Sequence, residues 1–253
     1  MLVTIIVMRQ TVFTALLFIT AVPLFSQEDC DVFNIQDLAA EVLTQQAEIE
    51  ALSCYSGVEM DGYRYKGVSI GDQCWFAENL RTTVYADGSA IPEVTGNSAW
   101  YGLATGARCI YDNDLSLPHG YGLLYNWYAV NNASGLCPSG WHVPTDGEWT
   151  NLKNYISSQG FSGMVGTALK STAGWSGSGN GTDDFGFSAL PGGLRYDNVG
   201  VFYDAGGYGY WWSSSPSGGP AWFRFLFFNF PAIDRLLSYP RNGFSVRCLR
   251  DAD

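Results

Sequence analysis

Glycine recurs so often after Gly57 that long helices and long strands are excluded over most of the chain. The sequence contains 30 glycines among 253 residues, and a glycine inside a helix or strand costs about 0.5–1 kcal/mol relative to alanine. Aromatic residues make up 15% of the chain, and their large side chains can stabilise the core of a loop-rich domain. We therefore predict a single α+β domain over residues 57–253, with few helices, short strands and many loops.

Local patterns predict where some of these elements lie. TDGEWTNLKNYI predicts a helix, because Thr145 can cap it together with Glu148 three residues on. The apolar face of this helix carries Trp149, Leu152 and Ile156. YRYKGVSIGDQCWFAENL and the chain from Gly209 onward predict short strands separated by turns. A glycine-dense loop is expected over residues 174–196.

The chain is acidic. Its net charge is −11, from 13 Lys and Arg against 24 Asp and Glu. Because neutralisation of phosphates dominates the affinity of proteins for DNA and RNA, an acidic chain is a poor candidate for binding either. We therefore expect no nucleic-acid partner.

The N-terminus has the layout of a secretory signal peptide. Arg9 precedes the apolar run TVFTALLFITAVPLF, and polar residues follow from Ser26. A membrane anchor is the alternative, but the run is shorter than the ~20 residues that a transmembrane helix needs. We therefore predict that residues 1–27 are a signal peptide and that no membrane span remains after cleavage. The protein is then secreted to the extracellular space or the cell surface.

A helical heptad pattern follows the signal segment, from Asp31 to Ser53. Gln45 interrupts the pattern, whose a and d positions are Ile35, Leu38, Val42, Ile49 and Leu52. Roughly three heptads are the lower limit for a coiled coil, so two interpretations stay open. Residues 28–56 are either a stalk that forms a homo-oligomer through residues 31–53, or a linker helix packed on its own domain.

Few side chains suggest catalysis or metal binding. His119 and His142 stand alone among aromatic and proline residues, and the sequence has no Cys-x-x-Cys pair and no nucleophile motif. Asp183 and Asp184 lie in a glycine-rich loop, where they can either bind calcium or cap their own turn. We favour the turn, because the spacing does not match an EF-hand. We expect no enzyme activity and no cofactor.

Several stretches of the chain resemble one protein family. In order, within residues 61–250, they are GDQCWFAENLRT, YGLLYNWYAV, CPSGWHVPTDGEW, ALKSTAGW, GTDDFGFSALPGGLRY, GYWWSSS and GFSVRCLRD. They are similar to the Fibrobacter succinogenes major paralogous domain, which is common in secreted proteins of Bacteroidetes and Fibrobacteres and has no settled activity. The resemblance implies a C-type lectin-like fold. HVPTDGEW is also similar to a motif of the formylglycine-generating sulfatase modifiers, which share that fold.

The resemblance suggests roles for the cysteines and tryptophans. Export makes disulfides plausible, but six cysteines allow many pairings. In lectin-like domains a disulfide commonly ties an early element to the last strand, which implies a bond between Cys137 and Cys248 and leaves a local bond between Cys54 and Cys74. The cysteines left unassigned are Cys30 and Cys109. The tryptophans expected in the core are Trp75, Trp127, Trp141 and Trp149.

The most apolar stretch of the domain, AWFRFLFFNF, begins at Ala221. As a strand it places apolar residues on both faces, which a fully buried strand would explain. The resemblance favours exposure instead. Relatives tend to keep the character of Phe223, Arg224, Leu226, Phe228, Ile233 and Arg235. They often have Asn, Tyr or Ser at Phe225, Phe227, Phe230, Ala232, Asp234 and residues 236–242. We therefore predict a ligand-binding surface that consists of Phe225, Phe227, Asn229, Phe230, Asp234, Leu236, Leu237, Ser238 and Tyr239.

The residue types that are absent from this segment are relevant to how its sequence arose. Lectin-like folds of this kind host diversity-generating retroelements, which rewrite adenines in C-terminal codons. An Asn codon rewritten in this way cannot become Lys, Glu, Gln, Met or Trp, and residues 223–250 contain none of these. The segment is compatible with such diversification and also with ordinary divergence.

Together these patterns predict a secreted, non-enzymatic module that recognises a protein or another cell-surface ligand through its C-terminal face. The alternative is a structural surface protein that oligomerises through its N-terminal helix. Carbohydrate binding is the third hypothesis, because the sequence lacks the calcium-binding triplets of C-type lectins. The sulfatase modifiers need a reactive cysteine pair, whereas Cys248 is the only cysteine in the last third of this chain.

Overall fold

The structure, a computed structural model, describes residues 35–114 and 119–251. The chain divides into two units, Met1–Thr44 and Gln45–Asp253. The signal peptide predicted over residues 1–27 lies outside the described residues.

Short elements make up most of the second unit. The α-helices are α1 (Ile35–Ser56), α2 (Asn97–Tyr101), α3 (Trp127–Val130), α4 (Asp146–Ile156) and α5 (Val165–Leu169). The strands are β1 (Val58–Met60), β2 (Tyr63–Tyr65), β3 (Gly67–Ile70), β4 (Gln73–Phe76), β5 (Arg108–Cys109), β6 (Leu124–Tyr125), β7 (Trp141–His142), β8 (Leu194–Arg195), β9 (Phe202–Tyr203), β10 (Tyr208–Pro216), β11 (Ala221–Phe227), β12 (Asp234–Ser238) and β13 (Leu249–Arg250). The predicted α+β class, with few helices and short strands, is confirmed for the described residues.

The strands form small sheets. A four-stranded sheet has the order β3-β4-β13-β7, so the last strand of the chain lies between β4 and β7. A three-stranded antiparallel sheet has the order β10-β11-β12. The pairs β1-β2, β5-β6 and β8-β9 form two-stranded sheets.

Two disulfides link these sheets to the rest of the domain. Cys137 bonds to Cys248, with Cα atoms 5.9 Å apart, and so ties the middle of the domain to the residue before β13. Cys54 bonds to Cys74, with Cα atoms 5.7 Å apart, and so ties the last turn of α1 to β4. Both predicted pairings are confirmed. Cys109 is a free, buried thiol, and Cys30 lies outside the described residues.

The N-terminal cap and the buried face of helix α4 are those that its sequence predicts. Thr145 Oγ1 accepts the backbone N–H of Glu148 at 3.2 Å, and Glu148 Oε2 accepts the backbone N–H of Thr145 at 2.6 Å. These reciprocal bonds make a capping box and satisfy backbone donors that the helix start would leave unpaired. The buried residues of the helix are the three expected on its apolar face: Trp149, Leu152 and Ile156.

The tryptophans of the family-like stretches lie in the core with one difference. Trp75, Trp127 and Trp149 are buried, as predicted. Trp141 is only partly buried and packs against Phe76, with ring centroids 4.7 Å apart.

A buried guanidinium organises the polar part of the core. Arg247 Nε donates to Asn79 Oδ1 at 3.1 Å, and the same oxygen accepts Trp211 Nε1–H at 2.9 Å. The other nitrogens of Arg247 donate to the backbone carbonyls of Phe76, Phe187 and Ser188. These residues come from four of the family-like stretches, so the stretches meet in space around Arg247.

The predicted N-terminal helix is present as α1, which begins at Ile35. Of the predicted seam, Val42 has a described side chain, which is 57% exposed. The side chains of Ile35, Leu38, Ile49 and Leu52 lie outside those that the structure describes. Within residues 35–114 and 119–251, no helix is long and apolar enough to cross a membrane.

Candidate functional site

The predicted ligand-binding residues lie on and beside the β10-β11-β12 sheet. Side chains alternate between the two faces of a sheet, and directly paired residues share a face. We call the face that carries Phe223, Phe225 and Phe227 the outer face, and the opposite one the helix-side face. The pairs on the outer face are Tyr208–Phe227, Tyr210–Phe225, Trp212–Phe223, Phe225–Asp234, Phe223–Leu236 and Ala221–Ser238.

The helix-side face is core surface beneath α4. Trp211 and Leu226 are buried in the same apolar cluster as Trp149. Arg224 is 2% exposed and donates to Asp146 Oδ1 at 2.6 Å and to the Asp146 carbonyl at 3.0 Å. Through these hydrogen bonds, the Arg224 guanidinium links β11 to the first turn of α4.

The outer face is covered at one end. Trp212 and Phe223 are buried there against Phe244, with ring centroids 4.3 Å and 4.9 Å from the Phe244 ring. Beyond this cluster, toward the start of β10 and the end of β11, the side chains on the outer face remain partly accessible to solvent.

Four aromatic side chains that contact one another occupy the open end of the outer face. This aromatic ladder consists of Tyr208, Tyr210, Phe225 and Phe227, all partly buried. The Tyr208 ring lies 4.3 Å from that of Phe227 and 5.6 Å from that of Tyr210, with the planes tilted by 14° and 11°. Such aromatic pairs contribute about 0.5–1.5 kcal/mol beyond the area they bury. The ladder is therefore held in place before any partner binds.

The structure brings together some of the predicted site residues and separates others. Phe225, Phe227, Asp234, Leu236 and Ser238 share the outer face. Leu237 lies on the helix-side face, beside Trp222, while Asn229, Phe230 and Tyr239 lie in the connections that flank β12. The exposed apolar members are Phe230 (45%), Leu236 (53%), Leu237 (43%) and Tyr239 (65%).

Phe225 and Phe227 differ from the expectation of surface positions. Both are partly buried, because the ladder rings cover one another and Phe225 also packs against the core cluster that contains Phe223. They contribute to the fold and at the same time leave part of each ring open to a ligand.

Most of the residues that relatives are expected to keep are buried in this structure, and most of those expected to vary are more exposed. Phe223, Arg224, Leu226 and Ile233 are buried, and Arg235 is exposed but paired with Asp146 at 2.8 Å. The exceptions are Phe228, expected to keep its character but only partly buried, and Asn242, expected to vary but only 5% exposed. The Asn242 amide accepts the backbone N–H of Asp197 and donates to Ser238 Oγ, which gives it a structural role.

The β10 half of the ladder was not predicted from the sequence. Tyr208 and Tyr210 flank Gly209, and this period-two alternation is the signal that indicates a shared face. The Tyr210 hydroxyl donates to Asp204 Oδ2 at 2.8 Å. Burial, and then this hydrogen bond, raises the pKa of Tyr210, so the phenol stays protonated. Its hydrogen bond holds the Asp204 carboxylate at the rim of the ladder.

Lys170 fixes the turn that follows the ladder. Its Nζ donates to the carbonyl oxygens of Phe227, Phe228 and Phe230 at 3.2, 3.4 and 3.3 Å. Lys170 is 3% exposed, its ammonium lies 5.3 Å from the centre of the Trp175 ring, and burial lowers its pKa. The ammonium thus positions the backbone that presents Phe230.

Replacing Lys170 by Met should loosen this turn and leave the rest of the domain folded. The loss leaves carbonyls without a donor, and an unsatisfied buried group costs about 1–3 kcal/mol. We expect a loss of about 2 kcal/mol in urea unfolding, with faster amide exchange confined to residues 227–233. Lys153→Met, on the exposed side of α4, is the control and should stay within about ±0.5 kcal/mol. Equal effects of both substitutions would contradict the assignment.

The loop of Asp183 and Asp184 is capped by its own polar groups. The Asp183 carboxylate accepts the backbone N–H of Ser188 at 2.6 Å as well as its hydroxyl, and Asp184 accepts the hydroxyl of Thr182. These bonds are those of the self-capping turn. In the described part of the chain, no cluster of three or more His, Cys, Asp or Glu side chains could hold a metal ion.

His142 lies between two carboxylates. Its Nδ1 is 2.5 Å from Asp251 Oδ1 and its Nε2 is 3.0 Å from Glu148 Oε1. Both nitrogens donate only when the ring is protonated, and the bond to Glu148 raises the pKa of His142 although burial opposes it. Burial raises the pKa of Glu148, but the bonds from His142 and Thr145 outweigh it and lower the value to about 2.

The stability contributed by this cluster should depend on pH. A raised histidine pKa stabilises the fold below the unfolded value of 6.5 and loses effect as pH rises through the folded value. The lowered pKa of Glu148 stabilises above 4.5 and is lost as pH falls towards about 2. Urea unfolding should therefore show His142→Gln to be less stable by up to about 1 kcal/mol between about pH 5 and 6.5. The difference should shrink by pH 9, and a pH-independent difference would refute this account.

Comparison with known proteins identifies the family of the domain. The family model of the Fibrobacter succinogenes major domain matches residues 68–250, which is more than half of the 253 residues. The match includes α4, the aromatic ladder and both cysteines of the Cys137–Cys248 bond. No curated protein and no solved structure matches the chain significantly. The chain belongs to the Fibrobacter succinogenes major domain family.

Proposed function

We propose that this protein is a secreted, non-enzymatic recognition module that binds a protein or another cell-surface ligand. The binding surface is the aromatic ladder together with the exposed residues around β12. One observation carries the proposal: the outer face stays open over the ladder, while Leu236 on the same face, Phe230 after β11 and Tyr239 after β12 expose further apolar side chains. Large exposed apolar patches usually mark binding sites.

We also infer that the scaffold is C-type lectin-like. Support comes from the Cys137–Cys248 bond, the pairing that the resemblance implies, which ties the middle of the domain to the residue before β13. Further support comes from the small sheets and long loops between them. Loops on such a scaffold can change without loss of the core.

The chemistry of the surface favours a partner with apolar side chains at the centre of the contact. Stacked rings are rigid, so little conformational entropy is lost when a partner covers them. Asp204 and Asp234 lie at the rim, where they can select polar or basic groups. Such a centre and rim are typical of protein interfaces, in which a few aromatic residues carry most of the affinity.

Panning a displayed random-peptide library against the full-length protein tests this function. Leu236→Ser combined with Tyr239→Ser removes exposed side chains and should change stability by no more than about 0.5 kcal/mol. We expect the selected peptides to bind this variant at least about tenfold more weakly, a loss of about 1.4 kcal/mol. The matched control, Val199→Ser combined with Tyr155→Ser, removes exposed apolar side chains elsewhere and should change affinity by less than about twofold.

Peptides that bind both double variants equally well would contradict the proposal. A glycan array run in parallel tests carbohydrate binding, the third hypothesis. Binding of a defined glycan that survives in the Leu236→Ser, Tyr239→Ser variant would place recognition on another surface.

The alternative function is a structural surface protein that oligomerises through α1. Val42 and Leu43 on this helix are 57% and 70% exposed, which favours a partner helix. Deletion of residues 28–53 keeps Cys54 for its bond to Cys74 and should convert an oligomer into a folded monomer in sedimentation velocity. A full-length monomer would exclude this alternative.

Diversification by a retroelement would account for the apolar character of residues 225–239. Sequencing this gene from many cells of one population should then show substitutions confined to adenine-derived positions in the C-terminal codons. Substitutions spread evenly over the domain indicate ordinary divergence.

A further inference from the structure

Within residues 35–114 and 119–251, no strand lies beside the outer edge of β12. Among the described residues β12 pairs with β11 alone. The opposite edge of the same sheet, along β10, is bridged by Gly193 and Ser245. An unpaired edge presents N–H and C=O groups to any strand that can align with it.

The register shows which backbone groups of β12 point outward. On the other edge of the sheet, the Trp212 N–H donates to the Ser245 carbonyl at 3.1 Å and the Tyr210 carbonyl accepts the Ser245 N–H at 3.0 Å. The backbone groups of Tyr210 and Trp212 therefore point away from β11, and their partners Phe225 and Phe223 form non-hydrogen-bonded pairs with β10. Because such pairs alternate along an antiparallel ladder, Phe223 and Phe225 direct their backbone groups toward β12. The alternation then continues across β12, so the backbone groups of Arg235 and Leu237 point away from the sheet.

This edge is complementary to itself. Leu236 lies midway between the two outward residues, so an antiparallel second copy related by a two-fold axis through Leu236 pairs Arg235 with Leu237 of that copy. Each of these pairs exchanges both backbone hydrogen bonds. All five residues of β12 find an opposite residue in this register.

The side chains on the outer face also match in this register. Leu236, 53% exposed, meets Leu236 of the second copy. Asp234 faces Ser238 of the second copy, and the Asp234 carboxylate has no hydrogen-bond partner within the described part of the domain. Ser238 Oγ accepts a hydrogen bond from Asn242 Nδ2 at 2.6 Å, which leaves its hydroxyl proton for the Asp234 carboxylate.

The two neighbouring registers are less favourable. An axis through Arg235 places that arginine opposite itself, and like charges directly opposite are destabilising. An axis through Leu237 places Asp234 opposite Pro240 and Arg235 opposite Tyr239, beyond the end of β12, so only three of its five residues find an opposite residue within the strand.

We propose that β12 is a dimerisation edge, at which a second copy of this chain pairs antiparallel about Leu236. The product is a continuous six-stranded sheet that carries both aromatic ladders on one face. This inference goes beyond the proposed recognition function and does not depend on it. Two edges of this length form a contact at the small, transient end of interface sizes, below about 1,200 Å², so the dimer is weak and concentration-dependent.

Disulfide trapping of the full-length protein tests the register. Leu236 and its copy form a non-hydrogen-bonded pair, with Cα atoms about 4.5 Å apart, within the range of about 4.4–6.8 Å that a disulfide spans. Leu236→Cys should therefore form a covalent dimer under mild oxidation, seen by non-reducing electrophoresis and mass mapping. Leu237→Cys, its equally accessible neighbour, faces Arg235 of the second copy and should cross-link at least about tenfold less.

The unsubstituted protein measures the background from the native cysteines. Cys109 contributes little to it, because the thiol is buried and burial raises its pKa to about 12. Equal cross-linking by Leu236→Cys and Leu237→Cys, or none by either, would overturn the proposal.

Sedimentation velocity over a concentration series provides a second test. Leu237→Pro removes an outward N–H, a change that edge strands tolerate, and should weaken dimerisation at least about tenfold. Leu237→Thr keeps the N–H and should weaken it far less. Dimerisation that persists unchanged in Leu237→Pro would place the interface elsewhere and overturn the proposal.

Discussion

Replacing Arg247 by Met should abolish cooperative folding of the domain. Arg247 is completely buried and donates to Asn79 Oδ1 and to the carbonyls of Phe76, Phe187 and Ser188. Asn79 Oδ1 keeps its tryptophan donor, whereas each of the three carbonyls left without a donor costs about 1–3 kcal/mol. The total then falls in the range of the net stability of a domain, about 5–15 kcal/mol. The substitution also removes the guanidinium that lies 4.1 Å from the centre of the Phe187 ring.

Circular dichroism during urea titration measures this effect. Burial lowers the pKa of Arg247 to about 9, so the side chain is still charged at neutral pH and cannot be replaced by a neutral group of the same reach. Arg64→Met is the matched control. Arg64 is exposed and donates to the Ser56 carbonyl at 2.7 Å, so its loss should cost less than about 1 kcal/mol. A cooperative transition of Arg247→Met close to that of the unsubstituted protein would show that other groups organise the core.

Removing the Cys137–Cys248 bond should cost more stability than removing Cys54–Cys74. The first closes a sequence separation of 111 residues and the second one of 20. Loop-closure entropy gives about 4.7 kcal/mol for a loop of about 100 residues and about 3 kcal/mol for one of about 15. We therefore expect the Cys137→Ala, Cys248→Ala variant to unfold at the lower urea concentration.

The two double-alanine variants serve as controls for each other. All four cysteines are buried, so both variants lose a similar amount of packing. The reverse order of stability would show that the local bond holds α1 and β4 in a way that loop length does not describe. No loss in either variant would show that the core is stable without covalent links.

Local features of the fold could be predicted because they depend on nearby residues. The capping box of α4 needs only Thr145 and Glu148, three positions apart, and its buried face follows from the helical period. The strand pattern around Cys74 follows in the same way from period-two alternation. The cysteine pairings came from a family resemblance, because spacing alone leaves many alternatives.

The candidate site could be predicted only in part. The family resemblance predicted Leu236, Leu237 and Tyr239 as surface residues, and they are exposed. It placed Phe225 and Phe227 on the surface as well, whereas the structure buries part of both rings against Tyr208 and Tyr210. The difference arises because β10 pairs with β11, and no pattern within β11 shows which strand will lie beside it.

By itself, the sequence determined the class of fold, the start of α4, the alternation of the strands and the negative net charge of the chain. Each of these depends on composition or on residues a few positions apart. Only the tertiary structure decided which phenylalanines remain accessible, because Phe244 covers Phe223 and leaves Phe227 open. It also decided the roles of Lys170 and Arg247, whose hydrogen-bond acceptors lie far away along the chain. Burial and hydrogen bonding of this kind depend on which distant segments meet, and packing of the whole domain sets that.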